Sequence, residues 1–401
     1  MRTGAISSTV SKISPSATLA VAERANELKS KGVNVINFAE GEPEFDSPEN
    51  IKDAANKAMK EGFTKYTAAS GIQELKEAIC IKLKRDNNIE YNPSQIIVSN
   101  GAKQALYNAF LTVCDQGDEV LIPTPCYVSF PEQIKLAGAV PIFIPTKEEN
   151  NFRITLKELK SKYTPKVKAL LLNSPNNPSG SICKEEDLNQ IADFLVDKGI
   201  WAITDEIYEN IIYDNAKHIS MASLNQEIKD QTITVNGVSK TYAMTGWRVG
   251  YAAGPEEIIS AMGKLQGHVT GNVNSIAQKA AIEALIGPQE VVETMREEYA
   301  RRRDYIVKRI NSFKGISCNT PDGAFYIFPN ISKLYGTRFG DKIINDEMDV
   351  VNYMLDELYI AVVSGKAFHY PDHIRVVFAT SMENIKEGLN RIETAINKLK
   401  I

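Results

Sequence analysis

From residue 46 to residue 253, short apolar runs alternate with amphipathic stretches. No other feature of this 401-residue chain restricts its fold so strongly. Strands are expected at 95–99, 119–122, 140–144, 169–172, 201–204, 232–235 and 249–252. Helical periodicity covers 51–61, 71–85, 103–113 and 185–197. Strands separated by helices pair in parallel, and the helices cover both faces of the sheet. The expected class is therefore α/β, a large domain whose mostly parallel sheet is flanked by helices. Ligands in such sheets bind beyond the carboxyl ends of the strands. Lys103, Asn177, Asp205 and Lys240 each follow a strand-like run.

The segment 235–251, VNGVSKTYAMTGWRVGY, holds the densest chemistry. Lys240 follows Asn236, Gly237, Val238 and Ser239, and Arg248 lies eight residues on. Small residues let backbone approach a ligand closely. A lysine enclosed there loses hydration, becomes less basic and can form a Schiff base. An arginine fork suits a phosphate. A lysine for an aldehyde and an arginine for a phosphate describe a site for pyridoxal phosphate (PLP).

Other segments offer partners, each with an ordinary alternative. Asn100-Gly101-Ala102-Lys103 joins a strand to a helix, whose free N–H groups favour a phosphate. Lys103 either adds charge there or points to a substrate. Asn177, in the loop after the run 167–172, is either a turn residue or an amide donor to a ligand. Asp205 ends the apolar run 200–204, where a carboxylate needs a partner. A helix N-cap and a protonated ring nitrogen both qualify, and Tyr208 follows three residues later. Tyr127 and Tyr66 are aromatic residues for the core or for a ring ligand. Arg375, in an apolar run, suits either a carboxylate ligand or an ion pair. Gly41 sits in a Gly-Glu-Pro turn where a backbone N–H could meet a carboxylate.

Charge and composition exclude several classes. The formal net charge is −4, so no basic footprint for nucleic acid exists. No apolar run approaches the ~20 residues that cross a bilayer, and no signal or transit peptide is expected at the N-terminus. Five scattered cysteines form neither a disulfide framework nor a zinc spacing, so a reducing cytoplasm is expected. Four histidines show no metal pattern, and no metal is expected. Beyond residue 287 a long charged helix spans 289–313, with Arg301, Arg302 and Arg303 expected mainly on a solvated face. Strands at 324–328, 360–363 and 374–378 and helices at 348–357 and 382–399 then read as a smaller α+β domain. The segment 1–45 reads as an arm of that smaller domain, with a helix at 19–31 and a strand at 33–38. The large domain is expected over 46–287 and the small one over 288–401.

In order along the chain, these motifs resemble the class I aminotransferases of PLP fold type I, and within them the bacterial aspartate aminotransferase branch. The resemblance runs from Ser14 to Arg375 and rests most on Gly237, Ser239, Lys240, Gly246, Arg248 and Gly250. It implies that Lys240 forms the internal aldimine and then shuttles a proton. It implies that Asp205 pairs with the pyridine nitrogen, that Asn177 and Tyr208 hold the phenolic oxygen, and that Tyr127 stacks on the ring. Ala102, Lys103 and Arg248 would hold the phosphate. Tyr66 would reach the phosphate of a neighbouring subunit, which implies a homodimer with shared sites. Arg375 and the Gly41 backbone would bind the substrate α-carboxylate. Lys103 would read a distal carboxylate, favouring aspartate with 2-oxoglutarate as acceptor in a ping-pong cycle. Broader, aromatic or prephenate specificity is the alternative. The chain departs from the pattern at Tyr127, where relatives often carry tryptophan, and at Ser179, where they commonly carry threonine. A PLP-binding transcription regulator is disfavoured, since the stretch before Ser14 is too short for a DNA-binding domain.

Overall fold

The computed structural model describes residues 6–339 and 342–399. After helix α1 (Ala17–Ser30) and the short strand β1 (Ile36–Asn37), helices α2 (Glu49–Lys60) and α3 (Gln73–Asn87) lead into a seven-stranded sheet. Its strands are β2 (Ile96–Ser99), β3 (Glu119–Thr124), β4 (Val140–Pro145), β5 (Val167–Asn173), β6 (Trp201–Asp205), β7 (Thr232–Gly237) and β8 (Gly250–Ala253), in spatial order β2-β8-β7-β6-β5-β3-β4. Strands β3 to β7 pair in parallel, and only β8 runs against its neighbours β2 and β7.

Both faces of the sheet are covered, which explains why its strands read as nearly unbroken apolar runs. Side chains alternate between the faces with a period of two. Thus Ile96 and Val98 join the core beneath α3, while Ile97 joins the opposite core with Phe110 and Met262. Further along, Ala169 and Leu171 face that second core, and Leu170 and Leu172 face a third one with Leu188 and Ile191. The covering helices include α4 (Ala102–Val113), α5 (Ser129–Leu136), α6 (Leu156–Lys162), α7 (Glu185–Lys198), α8 (Gln226–Lys229), α9 (Glu256–Val269) and α10 (Ser275–Ile286). The last two were not expected individually, because Gly263, Gly267 and His268 interrupt the first and alanines dominate the second.

The remaining chain builds around α11 (Glu290–Ile310) and a three-stranded antiparallel sheet. The strands here are β9 (Tyr326–Ile327), the hairpin β10 (Arg338–Phe339) and β11 (Lys342–Ile343), then β12 (Ile360–Ala361), β13 (Val363–Ser364) and β14 (Ile374–Val377). Helices α12 (Glu347–Asp356) and α13 (Met382–Ile396) complete it. The expected strand 360–363 is split, because β12 pairs with β1 while β13 pairs with β14. The expected strand 33–38 shortens to the two residues that meet β12.

The triple arginine departs from expectation. Arg301 is solvated, but Arg302 and Arg303 are buried. They share a helical face with Tyr299, Ile306 and Ile310, spaced at three, four and seven residues, and that face meets the core. Burial is tolerated because both are paired. Arg302 meets Glu44 and Glu298 and lies over the ring of Phe45, while Arg303 bonds Asp214 at 2.8 Å over the ring of Tyr213.

A second buried charge group fixes the turn after β6. Lys82 of α3 bonds Asn87 at 2.6 Å and pairs with Glu209. Glu206 accepts from Thr204 and Ser220 and lies 3.0 Å from His218 Nε2. This turn carries Tyr208 into the cavity described next. No helix among the described residues is long and apolar enough to cross a membrane, and all five cysteines are free.

Candidate active site

A cavity of about 390 Å³ opens beyond the carboxyl ends of β2, β5, β6 and β7, next to β9 and β14. The parallel strands all end there, so residues far apart in sequence converge. Asp205 ends β6, Asn177 lies four residues past β5, Lys240 three past β7, and Ala102 opens α4 just past β2. All four line the cavity.

Asp205 is 6% exposed, and its Oδ1 accepts from the N–H of Ile207 at 3.2 Å. A turn rather than a helix follows, which removes the N-cap alternative. Burial pushes its carboxyl up to about 7, against the pull of that hydrogen bond. Lys240 Nζ donates to the carbonyl of Gly41 at 2.6 Å. Loss of hydration holds its amine down at about 8, far below a free lysine. Gly41 thus faces the cavity with its carbonyl on the lysine.

Arg248 follows a 3₁₀ turn (Thr245–Trp247) with a left-handed backbone, φ 58°. Its guanidinium donates to the carbonyls of Thr245 (2.8 Å) and Asn100 (3.4 Å), beside the first turn of α4. Gly101 permits this approach. Its φ is +80°, and a Cβ there would lie 2.4 Å from Arg248 Nη2. The start of α4 and Arg248 therefore form one cationic corner. Lys103, the second residue of α4, is exposed at the cavity mouth, its Nζ 5.7 Å from the centre of the Tyr127 ring. Tyr127 is half-buried and meets Phe130 edge-on.

Arg375 on β14 is 2% exposed. It donates to Asn177 Oδ1 at 3.0 Å and to the carbonyl of Ala39, while its Nε finds no hydrogen-bond partner among the described residues. Burial presses its pKa below the usual arginine range. Within ion-pair distance, no carboxylate among the described residues meets Lys103, Lys240, Arg248 or Arg375. Four cations that form no ion pair among the described residues surround one cavity, an arrangement suited to anionic ligands.

Tyr208 lines the same cavity, its hydroxyl 2.6 Å from that of Tyr326. Tyr326 is a site residue that sequence reasoning missed. It sits in the strand-like run 324–328 beside Phe325, and nothing local distinguishes it from a core aromatic. Tyr66 lies outside the cavity on the surface and is 98% exposed, so it belongs to no core of its own chain.

Comparison with known proteins identifies the family of the whole chain. The family model for aminotransferase class I and II matches residues 33–392. An aspartate aminotransferase of Geobacillus stearothermophilus is 46% identical over 386 residues, 96% of each chain. A probable aspartate/prephenate aminotransferase of Aquifex aeolicus is 44% identical over 401 residues, 100% of each. The crystal structure of the aspartate aminotransferase from Rhizobium meliloti matches with a TM-score of 0.96 at 40% identity, over 99% of this chain and 100% of that one. Family model, sequence relatives and fold agree over nearly the whole length, and this chain belongs to the class I and II aminotransferases as an aspartate-aminotransferase-like enzyme.

Proposed function

We propose that this enzyme binds PLP and transfers an amino group from an L-amino acid, most favourably aspartate, to 2-oxoglutarate in a two-step, ping-pong cycle. The observation that carries the reading is the cavity lined by cations without carboxylate partners. It offers places for one phosphate and two carboxylates. The residues also fit the cofactor. Asp205 is a buried carboxyl that calls for an N–H partner, Gly101 leaves room beside Arg248, and a cavity of about 390 Å³ suits a small aromatic ligand and its substrate.

When bound, PLP supplies an aldehyde for amines and a ring that accepts the electrons of a broken Cα–H bond. Lys240 Nζ would hold that group, and, freed by the substrate amine, would serve as the base that moves the substrate Cα proton. Its lowered basicity suits both roles near neutral pH. Asp205 would keep the ring nitrogen protonated, Asn177 and Tyr208 would hold the ring oxygen, and Tyr127 would pack on the ring. Arg248 with the N–H groups at Ala102 and Lys103 clamps the phosphate. Arg375, its Nε still free, takes the substrate α-carboxylate beside Gly41.

Specificity rests on Lys103. The phosphate already has Arg248 and the helix start, and Arg375 serves the α-carboxylate, which leaves Lys103 for a distal carboxylate. A charge-assisted hydrogen bond there contributes about 1.5–3 kcal/mol once substrate excludes water. Lys103→Ala should therefore lower kcat/KM for aspartate and glutamate by roughly 10- to 100-fold, with little change for alanine or phenylalanine. The check is a half-reaction screen of amino acids by cofactor absorbance, in wild type and variant. An equal drop for all donors would remove the basis for aspartate. A second reading, aspartate together with prephenate, draws on the Aquifex relative's name and on the aromatic lining of Tyr127 and Tyr326. Prephenate in the same screen decides it.

We further propose a homodimer in which the exposed Tyr66 reaches the partner's phosphate corner at Arg248. Lys240→Ala and Tyr66→Phe chains, refolded together, should then regain activity above either parent alone, because one hybrid site contains both intact groups. No gain after mixing would count against shared sites. The chain division 46–287 and 288–401, with 1–45 on the smaller part, is part of the same proposal. Pairing of β1 with β12 supports it.

A further inference from the structure

Tyr326 has no part in the chemistry above, yet it touches three residues that do. It lies on β9 and is 1% exposed, and its backbone pairs with Val377 of β14, two residues beyond Arg375. Its hydroxyl is 2.6 Å from that of Tyr208. Its ring centre lies 4.8 Å from the guanidinium carbon of Arg375. A Cβ on Gly41 would fall 2.5 Å from its oxygen, so the backbone whose carbonyl holds Lys240 packs against the same hydroxyl.

We infer that Tyr326 is a positioning residue: its hydroxyl donates to Tyr208, which frees the Tyr208 proton for the cofactor's ring oxygen, and its ring seats Arg375 for the substrate carboxylate. This rests on the roles proposed above for Tyr208 and Arg375. A phenol has one proton and two lone pairs. Of two paired hydroxyls, one proton is used between them and the other stays available. If Tyr208 donated to Tyr326, it would have nothing left for a third oxygen. If it accepts, its own O–H is polarised into a stronger donor. A negatively charged ring oxygen selects the second arrangement, because a charge-assisted hydrogen bond is about twice as strong as a neutral one. The 2.6 Å separation of the two hydroxyls accommodates either donor, and the charge on the ring oxygen selects between them.

The test is a pH titration of the absorbance of the cofactor-loaded enzyme, without substrate, together with KM for the amino acid. A hydrogen bond from Tyr208 stabilises the negative ring oxygen most when the nitrogen joining Lys240 to the cofactor has lost its proton. Weakening that bond moves the spectral midpoint up. Tyr326→Phe should raise the midpoint by about 0.5–1 pH unit, and Tyr208→Phe should raise it further. Tyr326→Phe keeps the ring, so KM should change little, whereas Tyr326→Leu should raise KM by about 3- to 30-fold through loss of the cation–π contact. A purely structural tyrosine would lower the melting temperature without moving the midpoint. An unmoved midpoint in Tyr326→Phe beside a moved one in Tyr208→Phe would overturn this inference alone. If Tyr208→Phe is unmoved as well, the proposed role of Tyr208 fails, and this inference with it.

Discussion

Replacing Lys240 by alanine should lower turnover by at least about 10⁴-fold, the upper range for a positioned acid–base group, because in the proposed cycle the same nitrogen also holds the cofactor. The fold should survive. The hydrogen bond from Nζ to the Gly41 carbonyl is the polar contact at stake, and that carbonyl faces a cavity that water can enter. Removing an amine that burial has partly stripped of water also takes away a destabilising charge, so the melting temperature of the cofactor-free chain should stay close to wild type. Cofactor should still bind non-covalently through Arg248 and Asp205, more weakly. Borohydride reduction of the loaded wild-type enzyme followed by peptide mass analysis should find the cofactor on Lys240. A tag on another lysine would refute the assignment.

Asp205→Ala should slow Cα proton removal by at least about 10²-fold, since a preorganised charge partner contributes a few kcal/mol to the transition state. Isotope-sensitive half-reaction rates measure this, and unchanged rates would sink the role. Stability should respond in the opposite sense. In the cofactor-free chain the folded carboxyl titrates at about 7, above its unfolded value of roughly 3.9. The folded state therefore takes up a proton between those two values, and stability is lost as pH rises through that window. Asp205→Asn should accordingly raise the melting temperature of the cofactor-free chain more at pH 8 than at pH 5. Cofactor binding should reverse the ranking, because a ring N–H gives the wild-type carboxylate the partner it lacks. A wild-type chain whose melting temperature is flat between pH 5 and pH 8 would contradict this account.

These effects arise because the site is built from groups that folding alone leaves without partners. Lys103, Arg248 and Arg375 have no carboxylate within ion-pair distance among the described residues, while the buried arginines outside the site, Arg302 and Arg303, each meet two carboxylates. The contrast separates the structural cations from those proposed to bind ligands more clearly than burial does. Arg375 and Arg303 are equally buried, at 2% and 3% exposure, yet only Arg303 meets acids.

Much of this enzyme was legible in the order of its residues. The alternation of apolar runs with amphipathic stretches determined the parallel sheet, because a strand covered on both faces must be apolar throughout and each crossover needs a helix. The strand ends then placed Lys103, Asn177, Asp205 and Lys240 at one edge, since parallel strands all finish on the same side. Local sequence also marked Lys240 and Arg248, through the small residues their approach requires. Other features were decided only by tertiary structure. Tyr326 and Phe325 are adjacent aromatics of the same apolar run, and only the pairing of β9 with β14 turns one hydroxyl onto Tyr208. Arg302 and Arg303 read as solvated charges until Glu44 and Asp214, more than eighty residues away, are brought beside them. The physical reason is the same in each case. Secondary structure follows from neighbours along the chain, whereas the state of a charge or a hydroxyl depends on partners that only the folded chain brings within hydrogen-bond reach.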